Sequence, residues 1–361
     1  MMGRRFTRMR MTIACLCLAA VLTACGSAPG EDEKEQEAYS ALEGGDYEGA
    51  ADAYQKLIGE GDDSEEAYRF LGIAYMGQGD YEKAVTAFEN SLQQTGVLPG
   101  SMEYDINYYL GSCYYKLEQY DKALQVYDAI LALHPNDAGA LQMRGRVKTA
   151  LGDLPGMKED FEKAIALEPA NYDRVAAIFN IMNENGYTED AKQLVSGVMQ
   201  SGSETMDDYN RGRLYYCLGD YRNAQKALES LSGSNDYRVC ILLGQTYEAL
   251  GDYNYAANVY ESFITRDQTH PEVYNQLGLC NMKLQDYQGA LAAFQSGKEI
   301  ENNEILQSLS FNEIAAYEYL GNFRQAAALL DDYIRKYPGD TVAKREYIFL
   351  KHAKTAVSAE G

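Results

Sequence analysis

The chain has 361 residues, with 32 Lys and Arg against 54 Asp and Glu, a formal net charge of −22. So acidic a molecule repels phosphate backbones, which argues against nucleic acid as a partner. Trp is absent, so Tyr, at 31 residues, takes the aromatic positions.

The first stretch, Met1–Met11, carries Arg4, Arg5, Arg8 and Arg10 and no acid. Thr12–Ala24 is apolar but only 13 residues long. That is well under the roughly 20 needed to span a bilayer. Basic, then apolar, then small residues is the order of a secretory signal peptide, here 1–24. It ends in Leu22-Thr23-Ala24-Cys25, which resembles the lipobox of bacterial lipoproteins. The resemblance implies a diacylglyceryl group on the Cys25 thiol and cleavage that leaves Cys25 first. The other reading is an ordinary signal peptide with a chance Cys. A lipid at Cys25 anchors without spanning. It implies a bacterial cell membrane and its extracytoplasmic side. Residues 25–30, with Gly26-Ser27-Ala28-Pro29-Gly30, read as a flexible tether.

From Glu31 the chain repeats itself. The clearest copy is Tyr104–Asp137, which predicts two helices. Leu110, Gly111 and Tyr114 recur at helical spacing on the first, and Ala123, Tyr127 and Ile130 on the second. Gln119-Tyr120-Asp121 marks the turn and Pro135 the end. Leu110-Gly111-x-x-Tyr114, Ala123-x-x-x-Tyr127 and Pro135 keep tetratricopeptide (TPR) spacing, and the unit resembles a TPR repeat. Only the leading aromatic is missing, replaced by Asn107.

The residue matching Ala123 recurs at Ala50, Ala84, Met157, Ala191, Ala224, Ala256, Ala290 and Ala326. The steps are 34, 39, 34, 34, 33, 32, 34 and 36 residues, and the long one coincides with an insertion near 97–103. Nine units therefore cover 31–340. The first is degenerate, as a terminal repeat often is. Gly-Asp or Gly-Asn punctuates most units: Gly45-Asp46, Gly79-Asp80, Gly152-Asp153, Gly219-Asp220, Gly251-Asp252 and Gly321-Asn322. Gly should close the first helix in a left-handed conformation and Asp should cap the second. Units four to six depart from type: Arg144 takes the Leu position, Phe179 the Gly position, and unit six has a short second helix. Residues 341–361 read as a capping helix and tail. The implied fold is all-α, a TPR α-solenoid: one elongated domain, a right-handed superhelix of about nine helical hairpins with a C-terminal cap.

Catalytic constellations are missing from the sequence. His134, His270 and His352 are far apart, and no HExxH, GxSxG or Walker loop occurs. Neither enzyme activity, cofactor nor metal is expected. Cys113, Cys217, Cys240 and Cys280 lie on first helices of separate units and read as buried free thiols.

What remains is recognition. The TPR resemblance implies that first helices line a concave groove for an extended peptide or a partner helix. Carried over unit by unit, the main groove candidates are Tyr108, Ser112, Tyr115, Arg146, Asn180, Tyr209, Arg213, Tyr216, Gln245 and Asn275. Arg69, Ile73 and Met76, Gln142, Asn183, Ile241 and Glu248, and Leu279 complete the set. Tyr and Arg are common interface anchors. The alternative is that these Tyr pack between hairpins and these Arg pair with local acids. The Lys–Asn clamp of cochaperones that grip acidic chaperone tails has no match here. The expected function is a lipid-anchored cell-envelope scaffold that binds a protein or peptide. Two alternatives stand beside it: an accessory or regulatory subunit of an envelope (cell-wall) enzyme, and a glycan- or peptide-binding lipoprotein.

Overall fold

The computed structural model describes residues 31–94, 101–202, 206–301 and 303–348. The signal peptide, Cys25, the tether and the end of the cap lie outside the described residues. The described chain is all-α, as expected, with no strand among the described residues. It forms two compact units, 1–130 and 131–361. This boundary falls in the last turn of the third hairpin's second helix, and the repeat period does not locate it.

The first unit holds three hairpins: α1 (Glu31–Glu43) with α2 (Tyr47–Glu60), α3 (Glu65–Gln78) with α4 (Tyr81–Gln93), and α5 (Ser101–Lys116) with α6 (Tyr120–Leu133). Helix α5 begins at Ser101, inside the span of the insertion near 97–103. The second unit continues with α7 (Ala138–Leu151) and α8 (Leu154–Leu167), then α9 (Tyr172–Glu184) and α10 (Thr188–Gly202). The sixth hairpin pairs α11 (Asp208–Leu218) with α12 (Tyr221–Glu229), whose brevity the sequence predicts. The seventh is α13 (Tyr237–Ala249) and α14 (Tyr253–Ile264), and the eighth α15 (Pro271–Leu284) and α16 (Tyr287–Lys298). The ninth is α17 (Leu306–Tyr319) and α18 (Phe323–Lys336). A further helical stretch runs over 341–348, where Ala343 is buried against Tyr333 and Leu330.

The turns work as their residues predict. Gly79 takes φ 81° and sends its N–H to the Met76 carbonyl, and the Asp80 carboxylate then accepts from the Lys83 N–H at 3.2 Å. The same left-handed Gly and side-chain cap recur at the other five Gly-Asp or Gly-Asn steps. In the eighth hairpin Gln285 holds the left-handed position, φ 64°, and Asp286 still caps the next helix.

Inside a hairpin, a small residue on the first helix faces a large one 16 positions later. Gly72 faces Phe88, Gly111 Tyr127, Gly145 Phe161, Gly244 Tyr260 and Gly278 Phe294. A Cβ on Gly111 would stand 2.7 Å from the Tyr127 ring, too close for any side chain. The fifth hairpin inverts the sizes. Phe179 stands at the Gly position, and Val195, fully buried, stands where the aromatic would be. The departure at Phe179 is thus a swap of volume between partners, which cores tolerate best.

The departure at Arg144 has another basis. Its guanidinium makes a two-pronged contact with the Asp160 carboxylate, Nη2 at 2.6 Å and Nε at 2.9 Å. The Lys148 Nζ reaches the same carboxylate at 2.8 Å. Asp160 is 1% exposed. Arg144 and Lys148 occupy the Leu and Tyr positions of the pattern, so one hairpin has exchanged an apolar contact for a buried ion triad.

Candidate functional site

The candidate site is the face of the first helices. Within the second unit these helices lie side by side, α7 against α9, α9 against α11, α11 against α13 and α13 against α15. That run brings together Arg146, Asn180, Tyr209, Arg213, Tyr216, Gln245 and Asn275. Tyr108, Ser112 and Tyr115 share α5 in the first unit. All ten are half-buried, neither sealed in the core nor fully exposed.

Most of them already touch neighbours. The Tyr108 ring meets Tyr104 at 5.2 Å and Tyr127 at 6.1 Å, edge to face. The Ser112 and Tyr127 hydroxyls lie 3.3 Å apart, and Tyr115 packs against Tyr120. Arg213 pairs with Asp173, linking α11 to α9. Arg238 sits over the Tyr209 ring at 5.7 Å. The Asn312 amide donates to the Asn275 oxygen at 2.8 Å, and Arg146 is engaged as well. Tyr216 meets Tyr221 at 5.3 Å, and burial pushes its phenol up to about 12. Packing between hairpins and local ion pairing therefore account for one side of these residues. Each keeps part of its surface exposed to solvent.

Hydrogen bonds between successive hairpins recur, and sequence reading missed them. The Tyr of the Leu-Gly-x-x-Tyr pattern bonds to a Glu or Gln five residues after the small alanine of the preceding hairpin. Tyr114 donates to Glu89 at 2.8 Å and Tyr247 to Glu229 at 2.6 Å. Gln295 donates to the Tyr317 hydroxyl at 3.1 Å, and Gln55 to that of Tyr75. The constant offset of a carboxylate or amide from the alanine was the available signal.

Glu248, on α13, stands apart electrostatically. It is half-buried and accepts a hydrogen bond from the buried Tyr260 hydroxyl at 2.8 Å. Desolvation raises its carboxyl above the usual range, against the opposing pull of that hydrogen bond and of Lys283. A carboxyl whose folded pKa is raised holds its proton longer in the native state. Its contribution is fully present below the unfolded pKa and is lost as pH rises through the folded one. Glu248→Gln, which can keep the Tyr260 bond, should therefore raise the thermal midpoint at pH 7 and change it little near pH 4. Scans of both proteins at the two pH values check this.

The four cysteines from Cys113 to Cys280 are buried and unpaired. Burial raises the thiols to about 12 for Cys113, Cys240 and Cys280 and about 11 for Cys217, so they stay protonated at neutral pH. His270 stacks on Tyr237 at 4.3 Å and faces Asp267 at 3.4 Å. Among the described residues, no group of three or more His, Cys, Asp or Glu is arranged to hold a metal, and no helix is long and apolar enough to cross a membrane.

Family models described as tetratricopeptide repeat match residues 36–99, 71–138, 110–178, 241–302 and 314–340. The chain belongs to the tetratricopeptide repeat family. Curated relatives include the BBSome complex member BBS4 of Bos taurus, 22% identical over 63% of this chain and 38% of that protein. Another is the TPR repeat-containing protein MJ1428 of Methanocaldococcus jannaschii, 23% identical over 71% of this chain and 42% of that one. The chain thus spans about two fifths of the length of these relatives. Among solved structures, yeast Tom70 aligns over 91% of this chain and 82% of its own, with 15% identity and a TM-score of 0.49. A tetratricopeptide repeat protein from Parabacteroides merdae aligns over 68% and 96%, with 16% identity and a TM-score of 0.43. As a TPR protein, the chain is of a kind built to bind protein partners.

Proposed function

We propose that this TPR protein is a lipid-anchored scaffold on the outer side of a bacterial cell membrane, where its first-helix face holds a protein or peptide partner. The observation that carries the recognition half is the run of half-exposed Arg, Asn, Tyr and Gln side chains on adjacent helices α7 to α15. Such residues combine large contact area with directional bonds, as interface anchors do. Support for the anchor comes from Leu22-Thr23-Ala24-Cys25 directly after a short apolar run.

The anchor has a direct test. Cys25→Ala should leave the protein as unprocessed precursor, or release it from the membrane fraction. Fractionation and mass measurement of the N-terminal peptide read the result. Mature-sized Cys25→Ala protein that stays membrane-bound would refute the lipoprotein reading.

A further inference from the structure

Among the described residues the first helices differ in charge. Helices α7, α9 and α11, which lie side by side, carry six cations and three acids. The other six first helices together carry 14 acids against five cations. The cationic stretch of an acidic molecule thus lies on the face read above as the partner's seat. Several of its cations are tied to acids nearby: Arg144 and Lys148 to Asp160, Arg174 to Glu168 and Arg211 to Asp208.

Arg213 is held differently. Its Nη1 meets the Asp173 carboxylate across the gap from α11 to α9, and the Asp173 side chain is 82% exposed. An ion pair so open to water contributes little and yields to another carboxylate. Asp173 stays stable as an anion when released, because it lies in the first turn of α9, where the helix dipole favours negative charge.

The surroundings of Arg213 suit an extended chain. Tyr209 stands four residues before it and Tyr216 three after, on the same side of α11. Asn180 on α9 and Gln245 on α13 keep the register of Arg213, each one residue after the position that Gly111 marks. Among the described residues neither amide makes a hydrogen bond within the chain, and neither is sealed from water. A carboxamide donates and accepts, so it can bond a peptide group in either direction. Packed helices lie about 8–10 Å apart, which is roughly three residues of extended chain at about 3.3 Å each.

We propose that α9, α11 and α13 take an extended acidic segment of the protein partner. An Asp or Glu carboxylate of that segment displaces Asp173 from the Arg213 guanidinium, and Tyr209 and Tyr216 wall the acidic side chain. The Asn180 and Gln245 amides bond its backbone about three residues to either side. The assignment rests on the reading of the first-helix face as the partner's seat. The acidity of the rest of the chain repels the same segment and so confines it to this face.

The test uses the whole mature chain and a defined probe. The peptide acetyl-Gly-Ser-Gly-Ser-Glu-Ser-Gly-Ser-Gly-amide is titrated while the side-chain amides of Asn180 and Gln245 are followed by NMR. The same peptide with glutamine for glutamate has equal shape and no charge. The glutamate peptide should shift both amides saturably and bind about fivefold or more tighter than the glutamine peptide, as one charge-assisted contact predicts. Arg213→Gln should abolish that preference. Asp173→Asn, which frees Arg213, should tighten the glutamate peptide about two- to fivefold and leave the glutamine peptide unchanged. A merely structural role for the Arg213–Asp173 pair would give no such gain. Equal response to both peptides, no saturable response to either, a preference that survives Arg213→Gln, or no gain in Asp173→Asn overturns the proposal. That failure beside a discrete partner crosslinked at Tyr209 and Tyr216 in the cell would sink the subsite and leave the scaffold. Glutamate-selective binding that follows both variants, in a protein that captures no cellular partner on this face, would keep the subsite and sink the scaffold reading.

Discussion

Gly111→Leu is expected to destabilise the protein by about 1–3 kcal/mol through overpacking. The glycine has no room for a side chain, since a Cβ there would meet the Tyr127 ring at 2.7 Å and its hydroxyl at 2.9 Å. Tyr127 is fully buried and cannot swing into water. Denaturant midpoints measure the loss. The stronger form of the prediction is a coupling. The fifth hairpin already carries the large residue on the first helix, Phe179, and the small one on the second, Val195. Gly111→Leu should therefore cost less when made together with Tyr127→Val, with a coupling of about 1 kcal/mol or more in a double-mutant cycle. Additive effects would mean that the two positions do not share one volume.

Asp160→Ala should cost about 2–4 kcal/mol. Removing one partner of a buried ion pair leaves uncompensated charge, for which about 3–5 kcal/mol is usual. The side chains of Arg144 and Lys148 remain 22% and 17% exposed, which lets them recover part of that by turning outward. The triad's net worth is a separate matter. Replacing all three with the residues that type would place there (Arg144→Leu, Lys148→Tyr, Asp160→Val) should recover most of the stability lost in Asp160→Ala, because well-packed apolar groups often match a buried ion pair. Chemical denaturation of wild type, Asp160→Ala and the triple variant distinguishes the cases. A triple variant as unstable as Asp160→Ala would show that the fourth hairpin depends on the ions themselves.

Much of this fold was legible because each hairpin restates the same small set of constraints. Leu110-Gly111-x-x-Tyr114 and Ala123-x-x-x-Tyr127 locate the helices, and Gly79-Asp80 and its counterparts locate the turns. The signal failed where a residue departed from type and its compensation lay on the other helix. Arg144 looked like a weakened repeat, yet Asp160 stands 16 positions on, the same offset that joins Gly111 to Tyr127. Phe179 and Val195 follow that offset as well. Reading one position at a time hides such pairs, because each departs from type alone and makes sense only with its partner. The candidate site was legible as a face and less so as chemistry. Spacing puts Arg213 on that face but does not show that Asp173 already meets it. Nor does spacing reveal that Tyr260 reaches through the hairpin to Glu248. The division into two units was not legible at all, since the period runs across it unchanged.

The central claim is that the first-helix face holds a protein partner. Site-specific photo-crosslinking in the cell that expresses the protein tests it most directly, with the reactive group placed in turn at Tyr115, Tyr209 and Tyr216. Tyr255, 52% exposed on the second helix of the seventh hairpin, is the control. The account predicts one discrete protein adduct shared by the first-helix positions and missing at Tyr255. No adduct from correctly folded protein at those three positions, or an equal adduct at Tyr255, would contradict it.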